Sequence, residues 1–180
     1  MFERAAVGRA VVSVASWEPR WRASVRALWR ENKGAKLHVL HSAKYDDWTR
    51  EARAEILTEA RSAGIETTER ELDLERPGST WHDVVAFTTD LLAADVRSVA
   101  LDGTTMPREL TWFLLHAFGE VGIEVDYAYV PVGSYGAWQS KESLQPQLVL
   151  KRSGILFPDK PTCVVAMSGF DLGRLNQLIS

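Results

Sequence analysis

Ser98-Val99-Ala100-Leu101-Asp102-Gly103-Thr104-Thr105-Met106-Pro107-Arg108 decides the fold. The short apolar run at its start reads as a buried strand. Asp102 to Pro107 reads as a polar loop, and a proline in the first helical turn opens a helix. That helix carries Leu110, Phe113, Leu114, Ala117, Phe118 and Val121 at helical spacing, and Gly122 ends it. A strand, a polar loop and an amphipathic helix form half of a parallel crossover unit.

The same unit recurs upstream. Val11-Val12-Ser13-Val14-Ala15 is a β-rich run that stops at Ser16-Trp17-Glu18-Pro19. The following helix shows Trp21, Val25, Leu28 and Trp29 on one face and ends at Gly34. Leu37 to His41 is a second strand. Asp46 or Asp47 is expected to cap the next helix, with Trp48, Ala52, Ile56, Ala60 and Ala63 as its apolar stripe and Gly64 at its end. Ile65 to Leu72 alternates Glu and Thr, as an edge strand does. After the turn Arg76-Pro77-Gly78, Ser79 or Thr80 is expected to cap a third helix bearing Val84, Phe87 and Leu91. Ile123 to Val130 is the fifth strand.

Strands alternating with helices through short connections specify parallel pairing and right-handed crossovers. The expected fold class is therefore α/β, a Rossmann-like, open, mostly parallel sheet with helices on both faces, spanning residues 1–132. Residues 133–180 break the pattern. Gln147 to Leu150 and Thr162 to Met167 read as strands of an antiparallel C-terminal extension.

Composition narrows the function classes. The chain has 180 residues, 46% hydrophobic and 25% charged, which suffices for one core. A net charge of -3 and a pI near 5.8 give no global basic field, so neither duplex DNA nor a membrane surface is an expected partner. The cluster Arg20, Arg22, Arg26 and Arg30 reads as a solvated helix face. Cys163 lies in an apolar run and reads as a buried thiol. With one cysteine, no apolar leader and no long apolar span, the expected location is the cytoplasm.

In an open α/β sheet, ligands sit beyond the carboxyl ends of the strands. Ser16-Trp17-Glu18-Pro19-Arg20 and Asp102-Gly103-Thr104-Thr105-Met106-Pro107-Arg108 both fall there. Each opens a helix whose free N–H groups favour anions. Arg20 and Arg108 suit bidentate phosphate contacts, Thr104 and Thr105 add hydroxyls, and Trp17 suits stacking on a base. His41 ends the second strand at the same edge. Tyr135, with Trp138, sits in a glycine-rich loop suited to a lid. The plainer reading of each loop is local capping, with Asp102 and Thr105 bonding nearby backbone.

No GxGxxG follows the first strand and no GxxxxGK[ST] occurs, so no nucleotide cofactor is expected. His38, His41, His82 and His116 lack metal-ligand spacing. His116 reads as a core histidine and His82-Asp83 as surface or capping. Most of the seven tryptophans are expected in the core.

The order strand-Ser16-Trp17-Glu18-Pro19-Arg20, strand-His41-Ser42, helix, edge strand, then buried strand-Asp102-Gly103-Thr104-Thr105-Met106-Pro107-Arg108 resembles a CARF domain, the CRISPR-associated Rossmann fold. The likeness covers roughly residues 10–132. Leu101-Asp102-Gly103-Thr104-Thr105 is similar to that family's Asp-x-Thr strand end, without the lysine often found next, a place Arg108 is expected to take. In addition, Val11 to Glu18 resembles Val164 to Asp171, an echo similar to the SAVED arrangement of two fused CARF-like units. On that likeness a second, incomplete unit begins near residue 162; the alternative is a last strand and helix completing one sheet. The resemblance implies a nucleotide second-messenger sensor in prokaryotic anti-phage defence, with a cyclic or linear oligonucleotide ligand. Two other readings stay open: a non-catalytic assembly subunit of a defence complex, and a nucleotide or phosphoester enzyme using Asp102, His41 or Glu18 as acid/base. The apolar runs Val130-Pro131-Val132, Leu148 to Leu150 and Ile155 to Phe157 imply a homodimer or a larger partner chain.

Overall fold

The computed structural model describes residues 8–131. In chain order they form β1 (Arg9–Val14), α1 (Pro19–Glu31), β2 (Lys36–His41), a short 3-10 turn (Ala43–Tyr45), α2 (Asp46–Ser62), β3 (Thr67–Glu71), α3 (Pro77–Ala93), β4 (Ser98–Asp102), α4 (Arg108–Glu120) and β5 (Glu124–Ala128). The strands make one sheet in the order β3-β2-β1-β4-β5, and every pairing is parallel. This is the Rossmann-like α/β architecture the periodicity specifies.

Side chains alternate across the sheet. Val11, Leu37, Val39 and Ala100 face α1 and α2, against Trp21, Val25, Leu28, Trp29, Ala52, Ile56, Leu57 and Ala60. Residues of the other parity, Val12, Leu40 and Leu101, are equally buried. His38 shares that parity and meets Phe87 of α3 edge-on, with ring centroids 5.5 Å apart. Trp81 of α3 packs edge-on against Phe113 of α4 at 5.8 Å. Helices thus cover both faces.

Several local expectations change. Arg76, not Ser79 or Thr80, precedes the first turn of α3, because Pro77 takes the opening position as Pro19 does in α1. Tyr45 occupies the N-cap of α2, and neither Asp46 nor Asp47 caps it. The Asp46 carboxylate instead pairs with Arg50 and Arg53, whose hydrogen bonds hold it below the usual carboxylate range. Trp48 and Val121 fall outside their predicted buried stripes and are exposed, as is Ala63, where α2 has already ended. Among the described tryptophans only Trp21 and Trp29 are buried; Trp17, Trp48 and Trp112 are exposed. His116 is half-buried and packs beside Trp81 at 5.5 Å. Arg22 and Arg26 of α1 pair with Glu55 and Glu59 of α2, so part of the arginine cluster is an interhelical ion-pair lattice.

The expected C-terminal extension, Tyr135, Trp138, Cys163 and the internal echo lie outside the described residues. Among the described residues no helix is long and apolar enough to cross a membrane.

His38 gives the fold a pH signature. Its Nδ1 shares a 2.7 Å hydrogen bond with Thr68 Oγ1. Burial, with Lys36 and Arg70 nearby, pushes its pKa down to about 4. A depressed histidine pKa leaves stability intact above the unfolded value of about 6.5 and removes it as pH falls toward the folded value. Discounted for partial exposure, the loss is on the order of 2 kcal/mol. We expect His38→Gln to flatten the decline in melting temperature between those two pH values; an unchanged slope would show that His38 does not carry it.

Candidate functional site: a crevice where the strand order reverses

β1 and β4 are neighbours, yet the chain leaves them toward opposite edges of the sheet. Their carboxyl ends therefore diverge into a crevice, the usual ligand position in this architecture. Its floor is a polar network. Asp102 ends β4 and is only 1% exposed. Its Oδ2 accepts from Ser13 Oγ of β1 at 2.8 Å, and its Oδ1 accepts from Ser24 Oγ of α1 at 2.7 Å and from the Thr104 N–H at 3.1 Å. Behind these donors stand others. Trp21 Nε1 donates to Ser13 Oγ at 2.8 Å, Thr104 Oγ1 donates to Ser24 Oγ at 2.9 Å, and the Val130 N–H donates to Thr104 Oγ1 at 3.1 Å.

The direction of every bond follows. Each serine hydroxyl has one proton, used on Asp102, and accepts from a donor behind it. Two donor chains converge on a group that only accepts. The network ties β1, α1, β4 and the segment after β5 to one carboxylate, and it sets the course of the loop that lines the crevice.

Above this floor the crevice has a volume of about 150 Å³ and is lined by Val14, Ala15, Ser16, Trp17, Glu18, Ser42, Tyr45, Leu74, Thr105 and Pro107. Ser16 is buried, and its Oγ accepts from the Glu18 N–H at 3.2 Å. Thr105 Oγ1 is buried without a hydrogen-bond partner among the described residues. A buried hydroxyl left unpaired is costly unless something else meets it.

The structure thus brings Ser16, Trp17, Glu18 and Thr105 together in the crevice, with Asp102 and Thr104 beneath. Arg20 is already engaged. Its guanidinium donates to Glu18 Oε2 at 2.6 Å and to the Val130 carbonyl at 3.3 Å. The Glu18 bond, with a further one to Tyr129, raises its pKa above the usual arginine value. Arg108 is exposed at the first position of α4, where a cation opposes the helix dipole. It has no carboxylate partner among the described residues. Gly103 is buried for packing: a Cβ there would overlap the Tyr127 phenol ring. His41 ends β2 but does not line the crevice. Burial and then Arg53 lower its pKa, so it is neutral at pH 7, and its Nδ1 is unpaired among the described residues. Tyr135 lies outside the described residues.

Sequence reasoning missed Ser13, Ser24, Ser42, Tyr45 and Leu74. Ser13 and Ser24 had a signal, since each is a polar residue at a core position of an apolar strand or helix face. Ser42 stood only in the His41-Ser42 pair of the family resemblance, with no role given to it, and Tyr45 and Leu74 follow β2 and β3 in segments that bear no motif.

A larger concavity, about 770 Å³, lies on the α3 face and reaches the strands' amino ends, lined in part by Lys36, His38, Glu66, Thr68, Arg70 and Asp90. Its charges neutralise one another: Lys36 pairs with Glu66, and Arg70 with Asp90 at 2.8 Å. Volume favours this groove. Topology and the unpartnered Thr105 hydroxyl favour the crevice, and these bear more directly on ligand chemistry.

No protein-family model matches the chain, and comparison with curated proteins finds no match. Among solved structures that match is a metagenomic short-chain oxidoreductase (SDR) crystallised in complex with NADP. It shares 20% sequence identity at a TM-score of 0.45, over 78% of this chain and 67% of that one.

Asp102→Asn replaces an acceptor-only group with one that must also donate, facing protons already committed. We expect a loss of about 2–4 kcal/mol of unfolding free energy in urea, the scale of charge-assisted bonds with their donors left unpaired. An Asn variant as stable as the wild type would contradict the assigned donor directions.

Proposed function

We propose that this protein is a binding module for a nucleotide-class ligand, held in the crevice between the carboxyl ends of β1 and β4. The observation that carries the reading is the unpartnered Thr105 hydroxyl in a hydroxyl-bearing crevice at the strand-order reversal. A sugar or phosphate oxygen is the natural complement of Thr105 Oγ1. Arg108, beside Pro107 at the crevice wall, supplies a positive charge with no carboxylate competing for it among the described residues.

Binding without turnover is favoured over catalysis by where the acid/base candidates lie. Asp102 is saturated by internal donors, Glu18 is paired with Arg20, and His41 is outside the crevice lining. The resemblance to CARF domains supports the biological setting: a second-messenger sensor, taking cyclic or linear oligonucleotides, in a prokaryotic defence system.

Thermal-shift screening against such oligonucleotides tests the proposal, since a ligand that binds only the native state raises the melting temperature. For a ligand so found, Arg108→Ala should weaken binding by about 1.5–3 kcal/mol, the scale of a charge-assisted hydrogen bond. The melting temperature of the free protein should barely move, because Arg108 is exposed. Full affinity in the variant would remove Arg108 from the site, and steady product formation would replace a sensor with an enzyme.

A further inference from the structure

The crevice does not end at its own rim. Trp17 lines it and also stands over an open shelf of about 470 Å³ lined by Trp17 and Trp48. Trp17 comes from the loop after β1 and Trp48 from the first turn of α2. They are 53% and 64% exposed. Their rings meet edge to face, with centroids 5.6 Å apart and planes at 79°. Tyr45 packs beside both, 6.0 Å from each, and also lines the crevice. Lys44 lies 5.8 Å from the Tyr45 ring. Two separate segments therefore converge to keep large aromatic faces in water, next to the buried Thr105 hydroxyl that lacks a partner among the described residues.

We infer that this aromatic corner is a base-stacking subsite: the ligand places a heteroaromatic base against Trp17 and Trp48 while its sugar and phosphate enter the crevice. The inference rests on the binding reading above and names the ligand's outer half. Three features favour a base over a purely apolar group. Rings set at right angles form an L, which accepts one flat group stacked on one face with its edge against the other. The shelf is joined to hydroxyls through Trp17 and Tyr45, so an occupant flat at one end and polar at the other satisfies both. Arg108 stands at the crevice half with no carboxylate partner among the described residues, matching a ligand whose polar end is anionic, whereas Lys44 at the other half is paired with Glu75 at 3.2 Å. The crevice alone holds little more than one small ring or sugar, so a nucleotide must leave part of itself outside.

The test uses the full chain and two probes, linear tetra-adenylate and the abasic ribose-phosphate tetramer of the same length, with affinities measured by calorimetry. Tetra-adenylate should bind at least tenfold more tightly, the order expected for one base stacked on an aromatic ring. Trp48→Ala should lower the tetra-adenylate affinity about tenfold and leave the abasic affinity unchanged. Trp48→Phe should recover most of the loss. Because Trp48 is exposed and outside the core, the variants should melt as the wild type does. Equal binding of the two probes, or unchanged tetra-adenylate affinity in Trp48→Ala, overturns the subsite and leaves the crevice reading standing if Arg108→Ala still weakens binding. A Trp48→Ala protein that alters only self-association in sedimentation also overturns it, and makes the corner a protein contact. Failure of both probes to bind overturns the subsite and the binding reading together.

Discussion

The Asp102 carboxylate accepts hydrogen bonds and donates none, and the geometry around it depends on that. Ser13 and Ser24 each spend their single proton on it, which leaves their lone pairs to receive Trp21 and Thr104. Reversing any one bond would leave two donors facing each other in a buried site. A carboxylate removed from water is unfavourable unless its lone pairs are filled, and here three donors reach it directly. The satisfied network holds the end of β4 against β1 and α1. In doing so it turns the loop from Gly103 to Pro107 toward the crevice, which positions Thr105.

The same arrangement separates structure from function within one short motif. Asp102, Gly103 and Thr104 point inward or pack, while Thr105 Oγ1 has no hydrogen-bond partner and Arg108 no carboxylate partner among the described residues, and it is these two that the proposed binding reading assigns to the ligand. A ligand need not touch Asp102 to depend on it. Loss of the carboxylate would disturb both the fold and the crevice through the path of the loop, whereas loss of Arg108 would touch only what binds. On the other wall, Glu18 and Arg20 neutralise each other, so the crevice presents hydroxyls and aromatic rings more than charge. That balance suits the proposed ligand, with a phosphate near α4 and a flat group near Trp17.

Much of the fold was legible because hydrophobic period and chain punctuation agree. Four glycines and prolines, Pro19, Gly34, Pro107 and Gly122, mark helix ends that the structure repeats. Where two local signals compete, the sterically stronger one sets the structure. At α3, hydroxyl caps at Ser79 and Thr80 competed with Pro77, and the fixed φ of proline opened the helix. At Trp48, the period pointed inward, but α2 starts with a turn still clear of the sheet, and Thr49 is buried in its place. The site was half legible. Loop position at the sheet edge identified Ser16, Trp17 and Thr105. No periodicity reveals that Arg20 would fold back on Glu18, two residues before it, nor that Tyr45 and Trp48 would meet Trp17, a contact between segments distant in sequence.

The most direct test is hydrogen–deuterium exchange on the full chain with and without tetra-adenylate. Slowed exchange at the amides of residues 15–22, 42–48 and 103–111, with the rest of the sheet unchanged, is the predicted result. Protection instead around the groove of Lys36, His38, Arg70 and Asp90, or none anywhere at saturating probe, would contradict the crevice as the functional site.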